Sequence, residues 1–175
     1  MNYATIKWTD IANGEGVRIS LFVSGCTHHC KNCFNQVAWD FSYGELFDEH
    51  IQNKILEGLS SSFISGLSLL GGEPLEPQNQ TALLPFIQEV KRRFPEKTVW
   101  CYTGYLLDEK KGVLKEKRKN TDCTKQLIAL FDVLVDGPYV EKLKDIRLKF
   151  RGSSNQRIID VKKTLEKGEY VPYYP

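Results

Sequence analysis

The sequence predicts a single α/β domain built on a mainly parallel sheet, open or curled into a partial (β/α) barrel. Three observations carry this. Short apolar, β-rich runs alternate with segments of helical period along most of the chain, which is the signature of strands joined by helical crossovers. A chain of 175 residues at 41% hydrophobic content buries one core and leaves no room for a separate catalytic module. No internal repeat or low-complexity tract interrupts the pattern.

The elements follow in order. Arg18 to Val23 (RISLFV) reads as the first strong strand. Phe47 to Leu59 reads as a helix, with Phe47, Ile51, Ile55 and Leu59 on one stripe. Gly66 to Leu70 (GLSLL) is a short buried strand, and a helix from about Gln78 to Phe94 ends where Pro95 cannot continue it. Thr98 to Thr103 (TVWCYT) is the next strand. The charge run Asp108 to Asn120 (DEKKGVLKEKRKN), part of an insertion spanning about 108–122, has little apolar period and reads as a solvated insertion or frayed helix. Lys125 to Leu130 looks helical, and Phe131 to Asp136 (FDVLVD) is a strand closed by Gly137-Pro138. In the tail, about 161–175, the stretch Tyr170 to Pro175 carries three tyrosines and two prolines without periodicity, and either packs on the domain or stays loose.

Composition narrows the function classes. Lys plus Arg number 24 against 22 for Asp plus Glu, too even a balance for a protein that binds nucleic acid by neutralising phosphates. No apolar run approaches the roughly 20 residues that span a bilayer, and no signal-peptide pattern opens the chain, so a cytoplasmic protein with no membrane partner is expected. Five cysteines are an odd count, and three of them fall within eight positions. That suits a metal or redox site in a reducing compartment better than a disulfide framework.

Those three lie in Ser24-Gly25-Cys26-Thr27-His28-His29-Cys30-Lys31-Asn32-Cys33, at the carboxyl end of the first strong strand, where α/β folds place their chemistry. Thiolates ligate iron–sulfur clusters, usually four to a cluster. Three on one loop leave one iron open, as a catalytic centre requires and a structural one does not. The competing structural reading is a zinc site completed by His28, His29 or a remote cysteine, although zinc ligands typically come as two short pairs. Cys101 lies within a strand and reads as a small buried hydrophobe, Cys123 as an incidental thiol. Leu70-Gly71-Gly72-Glu73-Pro74 follows the second strand. Its glycines suit either a backbone that approaches a ligand closely or a plain strand-to-helix turn.

Cysteines spaced C-x3-C-x2-C after a first strand, followed about forty residues later by GGE, resemble the radical S-adenosylmethionine (SAM) superfamily. Asn13 to Arg18 (NGEGVR), Phe34-Asn35, Trp39, Trp100 to Tyr105 (WCYTGY), Val133 to Pro138 (VLVDGP) and Phe150 to Arg157 (FRGSSNQR) are similar to the glycyl-radical-enzyme activases within it, and among these to the branch that activates anaerobic ribonucleoside-triphosphate reductases. The resemblance covers about residues 1–160 and departs from the common pattern at Glu73, where Asp is more usual.

It implies a radical SAM fold in which Cys26, Cys30 and Cys33 bind a 4Fe-4S cluster and through it are the catalytic residues. Asn32 and Phe34 would flank SAM, while Gly71, Gly72 and Glu73 would hold its methionine end. Thr103 would line the SAM pocket, or be an ordinary buried strand residue. Asp136, Arg151 and Asn155 would form a polar closing network, or serve only as turn formers. The implied partners are the reductase, whose glycine receives the radical, and a low-potential electron donor such as flavodoxin. Two alternatives compete: another small radical SAM enzyme acting on a small molecule or peptide, and a zinc-stabilised module without catalysis.

Overall fold

The computed structural model describes residues 1–174. Chain order is β1 (Asn2–Asp10), β2 (Val17–Val23), β3 (Glu45–Leu46), α1 (Glu49–Leu59), β4 (Ile64–Gly71), α2 (Pro77–Arg93), β5 (Thr98–Tyr102), β6 (Leu107–Asp108), β7 (Val113–Leu114), α3 (Thr124–Ala129), β8 (Val133–Asp136), β9 (Arg157–Asp160) and α4 (Val161–Lys167). One sheet of seven strands runs β3-β1-β2-β4-β5-β8-β9. Its centre, β2-β4-β5-β8, is parallel, and each step between those strands passes through a helix, α1, α2 or α3. Both margins are antiparallel: β1 on β2, β3 on β1, and β9 on β8.

The mixed α/β, mainly parallel expectation therefore holds for the centre, while β1, β3, β9 and α4 had no place in the sequence reading. The sheet ends at β3 and β9 as open margins. The charge run is not a frayed helix: Val113–Leu114 pairs antiparallel with Leu107–Asp108. Buried Leu107 and Leu114 anchor that hairpin in the core, so its charges are carried on a fixed scaffold.

Period-two alternation gives the sheet two different faces. Ile19, Leu21, Leu67, Leu69, Val99, Cys101 and Leu134 join Ile55 and Leu59 of α1, Leu83, Phe86 and Ile87 of α2, and Leu127 and Ile128 of α3 in one apolar core. That face holds the domain together. The intervening positions mix polar Arg18, Ser20 and Ser68 with Tyr102 and a smaller apolar cluster of Trp100, Val133, Val135 and Ile158. Arg18 is fully buried and, among the described residues, has no carboxylate partner. It donates instead to Ser68 Oγ (2.7 Å), Thr98 Oγ1 (2.9 Å) and the carbonyls of Glu15, Leu67 and Thr98. Burial pulls its guanidinium down to about 10.

Of the two readings of the tail, packing is the one observed. Tyr173 stacks on Trp100 with ring centroids 5.4 Å apart, and its amide donates to Ile158. The hydroxyls of Tyr173 and Tyr174 both donate to the Glu15 carboxylate at 2.9 Å. The tail thus covers part of the face that lacks helices. Pro175, the last residue of that reading, lies outside the described residues.

Candidate functional site

Parallel strands finish on the same side of a sheet, so the loops after β2, β4, β5 and β8 gather there. They surround a cavity of about 560 Å³, in the range of small-molecule sites. Cys26, Cys30 and Cys33 line it with Asn32 and Phe34. Gly71, Gly72, Glu73 and Thr103 line it too, as do Tyr139, Phe150 and Arg151. All nine residues expected at the cluster and SAM site thus share one cavity.

The cysteine loop is laced into place by backbone. Gly25 N donates to Ala38 O at 2.8 Å and Cys26 N to Trp39 O at 3.2 Å. From the second loop, Gly72 N donates to Val23 O (2.7 Å) and Glu73 N to Gly25 O (2.8 Å). This close seam explains the glycines. A Cβ on Gly71 would lie 2.6 Å from Phe22 Cα, and one on Gly72 would lie 2.7 Å from Gly25 O, distances that a side chain does not tolerate. Gly71 also sits at φ +111°. Both glycines are therefore required by contact with β2 and the loop after it, before any ligand is considered. Farther along the loop, His29 and Asn32 hold positive φ values of 47° and 60°, a conformation that non-glycine residues adopt at a cost.

Two buried carboxylates tie this loop to its neighbours. Glu73 Oε2 accepts from Gly104 N and pairs with His28 Nε2, each at 2.8 Å, while its Oε1 accepts from Leu75 N at 2.8 Å. Its side chain is thus already engaged by protein groups. Glu76 Oε1 accepts from Thr27 N (3.0 Å), Thr27 Oγ1 (2.5 Å) and Tyr105 OH (2.8 Å), and its Oε2 receives Lys119 Nζ at 2.8 Å. Burial by itself would raise the Glu76 carboxyl; donation by Lys119, Thr27 and Tyr105 outweighs it and holds the group below the usual carboxylate range. His28 completes the network, its ring 4.3 Å from that of Tyr105.

Glu76, Tyr105 and Lys119 were not singled out as site residues from the sequence, and His28 was considered only as a fourth ligand to zinc. His28 and Tyr105 lie within the cysteine and WCYTGY motifs and Glu76 two residues past GGEP, which is the local signal. Lys119 had none, since it meets Thr27 across 92 positions. Thr103 lines the cavity and also has a structural task, its Oγ1 accepting from Tyr105 N at 3.1 Å. Asp136, Arg151 and Asn155 do not form one network. Asp136 accepts from Leu107 N and Arg157, and Arg157 also pairs with Glu109. Arg151 donates to Gln156 O and Asn155 to Pro138 O.

The donor set fits a cluster. All five cysteines are free thiols, and burial pushes Cys26 up to about 12 and Cys30 above the ordinary thiol range. Such sulfurs stay protonated alone and ionise when a metal binds them. Among the described residues no three His, Cys, Asp or Glu side chains form a group that could hold a single ion. A cubane makes a different demand, one sulfur at each of three separate irons, and three thiols lining one cavity match that count.

A family model described as a 4Fe-4S single cluster domain matches residues 12–159. The anaerobic ribonucleoside-triphosphate reductase-activating protein of Haemophilus influenzae is 46% identical over 160 residues, spanning 90% of this chain and 97% of its own length. The protein of the same name from Escherichia coli K12 is 40% identical over 158 residues, 89% of this chain and 96% of its own. The one from Enterobacteria phage T4 is 39% identical over 158 residues, 90% and 93%.

Proposed function

The chain belongs to the anaerobic ribonucleoside-triphosphate reductase-activating proteins, and from that membership we propose how its cavity serves the activation. It activates the reductase through an iron–sulfur cluster. The finer reading is that of a radical SAM enzyme. The observation that carries it is one cavity lined both by all three thiols of the cysteine loop and by the glycine-glycine-glutamate turn.

Cys26, Cys30 and Cys33 would hold the 4Fe-4S cluster, leaving one iron open to SAM. Bound there, the cluster would supply the one-electron chemistry that cleaves SAM reductively and so allows a hydrogen atom to be taken from a glycine Cα of the reductase. Every other contribution is made by the chain itself. Asn32 and Phe34 would flank the SAM position; Gly71, Gly72 and Glu73 would bound the methionine end, and Thr103 would line the same pocket. Glu73 and Glu76 keep these three loops in register through His28, Gly104, Thr27 and Tyr105. No side chain has to move a proton in this step, because a hydrogen atom is what moves. The polar face of the sheet serves as the inner surface of a partial barrel, and the mouth beside Phe34, Tyr139 and Phe150 admits the glycine-bearing loop of the reductase, which completes the exclusion of water. A low-potential protein such as flavodoxin supplies the electron. The setting is the cytoplasm, where free thiols stay reduced; no helix is long and apolar enough to cross a membrane among the described residues.

The test is anaerobic. Reconstituted protein should contain iron and inorganic sulfide, and with reductant, SAM and the reductase it should produce a glycyl radical detectable by electron paramagnetic resonance. Cys30→Ala should lose cluster and SAM cleavage together. Colourless protein with stoichiometric zinc would overturn the reading, and 5′-deoxyadenosine without a glycyl radical would point to a different substrate.

A further inference from the structure

Around the cavity mouth the surface changes character. Two segments form this rim, residues 31–37 and 141–151, and each contributes lining residues: Cys33 and Phe34 from the first, Lys144, Leu148, Phe150 and Arg151 from the second. The second segment (EKLKDIRLKFR) has five cations and two anions, a net +3 against +2 for the whole chain. An excess of positive charge thus stands beside the cavity. Lys31, Lys142, Lys144 and Lys149 are in no ion pair among the described residues. Large apolar side chains stand between these charges in water: Phe34 is 82% exposed, Ile146 91%, and Val37 and Leu143 about half.

We propose that this rim is the docking surface for an acidic, apolar-tipped segment of the reductase, an inference that rests on the function proposed above. Exposed apolar side chains ringed by charge, continuous with a functional cavity, are what a protein interface presents. The occupant follows from the same features. A polyphosphate or nucleic acid would be met by cations alone, and Phe34, Ile146 and Leu143 would have no counterpart in it. A flexible basic peptide would be repelled. An acidic protein surface satisfies the lysines and covers the apolar residues, and long-range attraction between the two accelerates its capture. Once seated there it delivers a loop directly over Cys30 and Cys33. Buried positions below the rim give the fixed part of the site; the rim gives recognition.

The decisive variants are Lys142→Glu/Lys149→Glu and, separately, Ile146→Asp, none of which lines the cavity. Binding to the immobilised reductase is measured anaerobically at about 50 mM and about 300 mM salt, a range over which surface charge attraction is progressively screened. Release of 5′-deoxyadenosine with chemical reductant and no reductase reports whether cluster and SAM site are intact. Expected is binding weakened at least about tenfold in the double variant, with a flatter salt dependence, and weaker binding in Ile146→Asp, while reductase-free cleavage matches wild type. Unchanged affinity and salt dependence in the double variant, with wild-type cleavage, would overturn the rim alone. So would unaltered reductase binding accompanied by lost affinity for inorganic phosphate, which would mark an anion site. A wild-type protein that neither cleaves SAM nor binds the reductase overturns the function on which the rim rests.

Discussion

The cavity floor and the cavity rim are built on opposite terms. On the floor, Glu73 and Glu76 are almost fully buried, and between them they accept from or pair with Gly104, Leu75, His28, Thr27, Tyr105 and Lys119. These contacts join four separate loops. On the rim, hydrogen bonds are mostly local, such as Arg147 to Asp145 and Arg151 to Gln156 O, and large apolar side chains face water. A floor of this kind holds a cofactor position rigid, because losing any partner strands a buried charge or amide. A rim of this kind contributes little to folding and is free to serve a partner. Substitutions at the floor should therefore be read in stability, and substitutions at the rim in binding.

Glu73→Ala should show the largest stability effect. It removes the acceptor from two backbone amides and the partner from His28 in a site of 1% exposure, and each stranded group costs about 1–3 kcal/mol. Urea unfolding should show a loss of about 3–5 kcal/mol, and the cysteine loop should become sensitive to proteolysis. Gly72→Ala comes next. Its Cβ would meet three backbone oxygens within 3.0 Å, atoms that move only if the two loops part, so a cost of about 2 kcal/mol is expected. A neutral outcome at either position would erase the distinction between floor and rim.

Lys119→Met is milder and carries a pH signature. Glu76 keeps Thr27 and Tyr105 but loses the one cation paired with it among the described residues, for about 1–2 kcal/mol near neutrality. The folded carboxyl of Glu76 sits below its ordinary value of 4.5, despite burial that would raise it, and Lys119 is the foremost cause of the lowering. A lowered carboxyl stabilises the fold above its unfolded value, and that stability is lost as pH falls through the folded one. The variant should therefore begin acid unfolding at a higher pH than wild type. Coincident acid limbs followed by circular dichroism would show that Lys119 does not govern Glu76.

The parallel centre of the sheet was legible because β2, β4, β5 and β8 are buried runs with helical segments between them, and hydrophobic period reports burial directly. The cysteine loop and the GGE turn were legible because their chemistry lies within a few consecutive positions. What escaped was long-range. Strand β9, only Arg157–Asp160, exists through its pairing with β8, and no local period announces a four-residue margin strand. The charge run hid its hairpin because just Leu107, Val113 and Leu114 mark it among many lysines. Gly71 and Gly72 were read as a close approach to a ligand or a plain turn; the close approach that the fold shows is to β2 and its following loop, which only the fold could reveal.

The smallest stability effect should be at Arg147 and Asp145, and there the two regions separate most cleanly. Their ion pair is bidentate, Nε to Oδ1 at 3.0 Å and Nη2 to Oδ2 at 2.8 Å, but Arg147 is 87% exposed, and solvent screening leaves such a pair little to contribute. Neither Arg147→Ala nor Asp145→Asn should shift the thermal midpoint measurably. Their effects on reductase binding should be opposite in sign. Removing Arg147 leaves Asp145 as an uncompensated anion on a surface that recognises acidic residues, so affinity falls; removing the Asp145 charge leaves the guanidinium free, so affinity rises, and both changes should fade with added salt. Shifts of the same sign in the two variants would mean that the contact depends on shape at this loop and not on its charge.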